Sequence, residues 1–146
     1  MAVASNCDSG WVDATSVEMG CLYFKNAQMN YWDANVFCQD RDSHLVAVYT
    51  PEMLEFLVME MQVWEEHDGV DAFWWSGATD MGREGLWYWQ YSLLDVGDFI
   101  WGSQQPENST EYNYLCFLKD YDYMGAACDT DSNDIQPICQ KPANEE

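Results

Sequence analysis

The chain contains 146 residues, in which 26 Asp and Glu stand against 5 Lys and Arg, and its formal net charge at pH 7 is -21. This charge excludes nucleic acid and anionic membrane surfaces as favoured partners, because binding to phosphate groups depends on Lys and Arg. A hydrophobic fraction of 48% favours one packed domain over disorder, and we expect no membrane insertion because no stretch reaches the ~20 apolar residues of a membrane span.

The first half of the chain predicts one strand and two helices. Residues 21–24 are β-favouring and predict a strand. Asn30 is a typical N-cap, and apolar residues at helical spacing follow it up to about Arg41. The hydroxyl of Thr50 can cap a second helix, which we expect to end near Gly69.

Strand patterns dominate the second half. Short segments rich in β-favouring residues predict strands at residues 73–75, 86–89, 112–118, 124–128 and 136–140. Residues 90–111 show no sustained period, and long loops inside compact domains are commonly functional. The pattern predicts one α+β domain over residues 7–140, with an N-terminal tail at 1–6 and an acidic C-terminal tail at 141–146.

The cysteines form an even set without a CxxC pair or a Cys/His pattern suited to zinc. They are Cys7, Cys21, Cys38, Cys116, Cys128 and Cys139. An even set in a small domain is typical of an oxidising compartment, so we expect three disulfides and a secreted, extracellular protein. The start of the chain lacks a secretory signal, which we interpret as processing. Six reduced thiols in a cytosolic protein are the alternative, and counting alone leaves the connectivity open.

Several motifs follow one another in a specific order along almost the whole chain. They are Cys7–Trp11, Cys21–Phe24, Trp32 with Ala34 and Cys38, His44–Val48, Trp75–Asp80, Glu84–Trp89, Trp101, Gln105–Asn108, Cys116, Cys128 and Ile138–Gln140. Together they resemble the C-type lectin-like domain family in its long form with an extra N-terminal disulfide. Within that family, the sequence pattern is most similar to that of secreted invertebrate members. The resemblance implies two helices, small antiparallel sheets and a long ligand-binding loop.

The resemblance also implies the disulfide pairing. It pairs Cys7 with Cys21, Cys38 with Cys139, and Cys116 with Cys128. The second bridge would close a loop of about 100 residues, which the chain-entropy model values at about 4.7 kcal/mol. The third would brace the base of the long loop.

In this family a calcium ion in the long loop binds sugar hydroxyls, and calcium prefers oxygen ligands. The segment Gln105-Pro106-Glu107 matches part of the family's ligand tripeptide. Glu111 or Asn113 would substitute for a further ligand, and Tyr112, Tyr121 or Tyr123 would stack on the apolar face of a sugar. A first-position Gln resembles galactose-type members. The alternative interpretation is that the tripeptide only shapes a turn.

Two family ligands are missing from this sequence. Tyr114 occupies the place of a ligand Glu, and Tyr123-Met124-Gly125 replaces the family's Trp-Asn-Asp. Asn108 opens an N-glycosylation acceptor sequence in the same loop, and a glycan there would obstruct it.

Two further acids match an auxiliary calcium site of the family. They are Asp80 and Glu84, four residues apart before the long loop. The alternative is that both are solvated acids in a turn.

No catalytic motif accompanies these residues, so we predict a binding module and not an enzyme. The leading hypothesis is a secreted, calcium-dependent lectin that binds glycans or glycoproteins, of galactose type, in innate recognition of microbes. The alternative is a calcium-independent lectin-like module that binds mineral, ice or protein through its acidic surface, with homodimer formation as a further expectation.

Overall fold

A computed structural model describes residues 6–68, 73–106, 111–119, 122–129 and 135–144. These residues form an α+β fold with two helices. In chain order the elements are β1 (Val12–Asp13), β2 (Cys21–Phe24), α1 (Tyr31–Gln39), β3 (His44–Leu45), α2 (Pro51–Asp68), β4 (Phe73–Thr79), β5 (Tyr88–Trp89), β6 (Tyr112–Leu118), β7 (Gly125–Asp129) and β8 (Gln136–Lys141). Short 3-10 turns lie at Thr15–Val17 and Asp98–Ile100.

The strands form one connected set in the order β1-β2-β8-β4-β6-β7, with β3 added to β8 and β5 added to β4. Its pairings are antiparallel except that β4 and β8 run parallel. Strand β8 therefore joins the N-terminal hairpin to the second half of the chain. The two helices and small sheets expected from the sequence are confirmed.

Both helix starts match the sequence prediction. The Asn30 side chain accepts a hydrogen bond from the backbone N–H of Asp33 at 2.8 Å. The Thr50 hydroxyl accepts one from the Met53 N–H at 3.2 Å. These caps satisfy N–H groups that have no partner inside the helix, so local sequence determines where each helix begins.

Two predicted strands have different lengths in the structure. Strand β4 continues past residue 75 to Thr79, because polar Ser76 is buried and donates a hydrogen bond to the Leu115 carbonyl at 2.7 Å. Gly77 lies against the backbone of Leu45, where a Cβ would be 2.7 Å from the carbonyl oxygen. The strand predicted at 86–89 contains only Tyr88–Trp89, since only these two residues pair with β4 after the turn that ends at Gly85.

The aromatic residues explain how the two faces of β4 are covered. Trp74 and Trp75 are both fully buried and belong to different clusters, because successive strand residues point to opposite faces. Trp74 meets Phe24 with ring centroids 5.3 Å apart. Trp75 meets Tyr31 on α1 at 5.7 Å. The core therefore has one aromatic centre on each side of this strand.

The three expected disulfides are confirmed. Cys7 pairs with Cys21, Cys38 with Cys139, and Cys116 with Cys128. The Cys38–Cys139 bridge ties α1 to β8 across a sequence separation of 101 residues. Neither helix in the described part of the chain is long and apolar enough to cross a membrane.

Gln140 connects three parts of the fold through its side-chain amide. Its Oε1 accepts a hydrogen bond from the Ala47 N–H at 2.9 Å, and its Nε2 donates to the Met19 carbonyl at 2.9 Å. Here a neutral amide binds two backbone segments directly.

We expect Gln140→Ala to lower the free energy of unfolding by about 1–3 kcal/mol, because it removes two partly buried hydrogen bonds. Urea unfolding followed by Trp fluorescence measures the change. Gln62→Ala on the exposed side of α2 is the control, with an expected change within about 0.5 kcal/mol. Equal effects of the two substitutions would contradict the role given to Gln140.

Candidate functional site

Asp80 lies at the point where β4 ends. Its side chain is 2% exposed. Its Oδ2 accepts a hydrogen bond from the Gly85 N–H at 2.9 Å, whereas its Oδ1 is buried with no hydrogen-bond partner. A buried carboxylate oxygen without a partner is costly, so a cation or a hydrogen-bond donor would stabilise this atom.

Glu84 is exposed and adjoins Asp80. The pKa of Glu84 is raised because its carboxyl group hydrogen-bonds with that of Asp80, and desolvation and the charge of Asp80 act in the same direction. Two ionised carboxylates are both acceptors. The pair can therefore hold either a shared proton or a cation between the two groups.

The start of β6 is joined to the same turn. The carbonyl of Asn113 accepts hydrogen bonds from the Thr79 hydroxyl at 2.6 Å and from the Asp80 N–H at 3.2 Å. Asn113 and the neighbouring Tyr112 are half-buried, and Glu111 is exposed. The fold thus brings Asn113 next to Asp80, although the two are far apart in sequence.

Gln105 lies on the other side of the long loop. Its Oε1 accepts a hydrogen bond from the Ala127 N–H in β7 at 3.1 Å. The side-chain oxygen predicted as a calcium ligand therefore already binds the backbone. Glu107, Asn108 and Tyr121 lie outside the described residues.

Two tyrosines within the motifs that differ from the expected calcium site have structural roles. Tyr114 is 3% exposed and stacks on Tyr31 with ring centroids 3.7 Å apart. The hydroxyl of Tyr123 donates to Glu65 on α2, and Lys119 forms an ion pair with the same carboxylate. Tyr114 therefore packs in the core in place of an expected ligand, and Tyr123, at the Trp position of the replaced Trp-Asn-Asp motif, contacts α2.

A cleft of 580 Å³ lies between the turn after Asp80 and the segment around Gln105. Gly85 and Pro106 lie on its two sides. Among its lining residues are Leu86, Trp87, Asp95, Val96, Asp98 and Trp101. Trp87 and Trp101 form an edge-to-face pair at 4.9 Å.

Asp95 and Asp98 in this cleft were not predicted from the sequence as site residues. Both lie within the aperiodic residues 90–111, where only the length of the loop pointed to function. Within the described ranges, no three His, Cys, Asp or Glu side chains lie close enough to hold a metal ion by themselves. A cation here would need further oxygen ligands beyond the Asp80 and Glu84 pair.

A protein-family model described as "Lectin C-type domain" matches residues 27–141, which is more than half of the chain. The chain belongs to the C-type lectin domain family. The match covers the turn with Asp80, the long loop and β6. Homologues of this carbohydrate-binding family are generally not enzymes.

Curated relatives have the same domain within longer chains. The lectin domain is 26% identical over 138 residues to C-type lectin domain family 4 member M of Nomascus concolor, a match that covers 93% of this chain and 31% of the relative. It is 27% identical over 99 residues to the CD209 antigen of Pongo pygmaeus, covering 66% of this chain and 23% of the relative. The chain thus spans about a third or less of the length of these relatives.

Solved structures agree on the fold. The mouse scavenger receptor C-type lectin carbohydrate-recognition domain is 26% identical, with a TM-score of 0.73 and coverage of 96% of this chain and 98% of that one. A calcium-independent type II antifreeze protein is 18% identical, with a TM-score of 0.75 and coverage of 98% and 99%. At 18% identity, the similarity to the antifreeze protein is evidence for a shared fold only.

Proposed function

We propose that the protein is a secreted lectin that binds glycans at the long-loop cleft, with calcium held at Asp80 and Glu84. The observation that carries the proposal is the buried Asp80 Oδ1, which has no hydrogen-bond partner. A cation at this position would satisfy that oxygen and also neutralise the charge of Glu84. Calcium suits these ligands, because it takes 6 to 8 oxygen ligands in flexible geometry.

The cleft beside this pair supplies groups that suit a sugar. Trp87 and Trp101 offer aromatic faces, and aromatic rings pack well against apolar surfaces. Asp95 and Asp98 line the same cleft and can accept hydrogen bonds from sugar hydroxyls. Calcium would order the turn that forms one side of the cleft, so glycan binding would depend on it.

The sugar that we propose is of galactose type. Galactosides are the first sugars to test, because Gln105 occupies the first position of the tripeptide.

Three disulfides support an oxidising, extracellular compartment, and glycans on microbial surfaces are the proposed targets.

Calcium titration by calorimetry, together with a glycan array in calcium and in chelator, tests this function. We expect measurable calcium binding and retention of galactose-containing glycans that is lost in chelator. Absence of calcium binding, or of any calcium-dependent glycan retention, would overturn the proposal.

A second candidate function is adsorption to a mineral, ice or protein surface without calcium. Two features favour it: the loss of expected calcium ligands at Tyr114, Met124 and Gly125, and the net charge of -21. A calcium-independent type II antifreeze protein has a similar fold. Binding to calcium carbonate that disappears at high ionic strength would support the mineral form of this function, and no binding at low salt would eliminate that form.

A further inference from the structure

A separate cavity of 210 Å³ lies between α1, β3 and the turn that follows β5. It shares no lining residue with the long-loop cleft. Its lining residues are Tyr31, Asn35, Gln39, His44, Leu45, Gly77, Gln90 and Tyr91. None of these residues is Asp, Glu, Lys or Arg, in a chain with 26 acids.

The hydroxyl of Tyr31 is the first sign that this cavity accommodates a ligand. Tyr31 is 1% exposed, and its hydroxyl is buried with no hydrogen bond of standard geometry. Burial raises its pKa, and a hydrogen-bond contact with the Gln90 side chain, which lines the same cavity, acts in the opposite direction. The hydroxyl thus meets the Gln90 amide without standard hydrogen-bond geometry, and a ligand hydroxyl in the cavity would complete its hydrogen bonding.

The other polar groups are neutral and can both donate and accept. Asn35 and Gln39 are one helical turn apart on α1, so they lie on the same face. Each of these amides, and that of Gln90, offers donors and an acceptor. His44 Nδ1 is 2.8 Å from the Leu45 carbonyl oxygen, which assigns the proton of the neutral ring to Nδ1 and leaves Nε2 as an acceptor. Burial lowers the pKa of His44, so the ring is neutral at pH 7.

Tyr91 provides an aromatic surface at the edge of the cavity. Its side chain is 68% exposed, and its ring stacks on His44 with centroids 3.9 Å apart and planes 8° from parallel. Stacking on His44 fixes the orientation of the Tyr91 ring and leaves an exposed aromatic surface that a ligand can contact. The cavity thus combines a neutral hydrogen-bonding interior with an aromatic rim.

We propose that this cavity is a second glycan-binding site, which takes one ring of a neutral saccharide without calcium. A pyranose ring has a hydroxylated edge that suits the amides and the Tyr31 hydroxyl, and an apolar face that suits Tyr91. A volume of 210 Å³ is below the roughly 300–1,000 Å³ of drug-sized ligand pockets, which limits the occupant to about one ring.

The neighbouring surface gives a longer glycan room to continue. A cleft of 390 Å³ is also lined by His44 and Tyr91, so the stacked pair separates the two spaces. Its far side includes Glu18 and Lys141, which can bond to further hydroxyls. This second site is independent of the long-loop proposal and would remain if the calcium site failed.

Calorimetric titration with the methyl glycosides of galactose, glucose, mannose and N-acetylglucosamine, all in excess chelator, tests the second site. We expect at least one glycoside to bind. Tyr31→Phe should weaken that binding about fivefold, because it removes one hydrogen bond of about 1 kcal/mol. The same substitution should change the melting temperature of the free protein little, since the Tyr31 hydroxyl has no hydrogen bond of standard geometry there.

Tyr91→Ala should weaken the same binding about fivefold or more through loss of the ring face. Leu94→Ala is its control, because Leu94 is 56% exposed in the same turn and does not line the cavity. No glycoside binding in chelator, or chelator-resistant binding that both Tyr variants retain in full, would overturn the proposal. Failure of the long-loop site alone would instead remove only the calcium-dependent binding.

Discussion

Replacement of Cys38 and Cys139 together by Ala is expected to lower the free energy of unfolding by about 4–5 kcal/mol. The bridge joins α1 to β8 over a sequence separation of 101 residues. In the chain-entropy model a loop of about 100 residues is worth about 4.7 kcal/mol, because the bridge restricts the unfolded chain. Small domains have a total stability of about 5–15 kcal/mol, so the variant would lose a large part of it.

The bridge between Cys7 and Cys21 provides a matched comparison. Its sequence separation is 14 residues, and a loop of that size is worth about 3 kcal/mol. We therefore expect the Cys7→Ala and Cys21→Ala double variant to be the more stable of the two. Urea unfolding at equal protein concentration, followed by Trp fluorescence, measures both. Equal losses would show that local strain or packing, and not loop length, determines the contribution of each bridge.

The helices were predictable because their signals are local. Asn30 and Thr50 each bind an N–H group three residues later in the chain. A helix start depends on residues that are neighbours in sequence, so a short window contains the necessary information. The disulfide pairing was not local, and it followed only from the family resemblance.

The end of β4 was not predictable from a local pattern. Ser76 and Gly77 are poor strand residues by propensity. They continue the strand because the Ser76 hydroxyl binds Leu115 and because Gly77 allows Leu45 to approach closely. Both contacts join residues that are distant in sequence, and tertiary contacts of this kind override propensity.

The candidate site also combines residues that a local motif identifies with residues that only the fold brings together. Asp80 and Glu84 are four residues apart in one turn, and the sequence predicted both. Asp95 and Asp98 were missed, because only the folded long loop places them beside Trp87 and Trp101. Gln105 was predicted as a ligand from its motif, yet the fold directs its oxygen to the Ala127 N–H. Motifs identify residue types, whereas the fold determines what those residues contact.

Asp80→Asn is expected to abolish stabilisation by calcium while leaving the calcium-free protein intact. The Asn oxygen can still accept the hydrogen bond from Gly85, and its amide can donate to Glu84 where two acceptors now meet. The variant also removes a buried charge that has no cation partner. Its melting temperature in chelator should therefore equal or exceed that of the unmodified protein.

Calcium at about 100 times its dissociation constant should stabilise the unmodified protein by about 2.7 kcal/mol, or about 5–11 °C for a domain of this size. Thermal unfolding in calcium and in chelator measures this difference. Glu55→Gln, which removes one exposed charge on α2, should keep the full shift, whereas Asp80→Asn should lose it. If Asp80→Asn keeps the shift, calcium binds elsewhere, and the unpaired Asp80 oxygen is satisfied by a proton shared with Glu84.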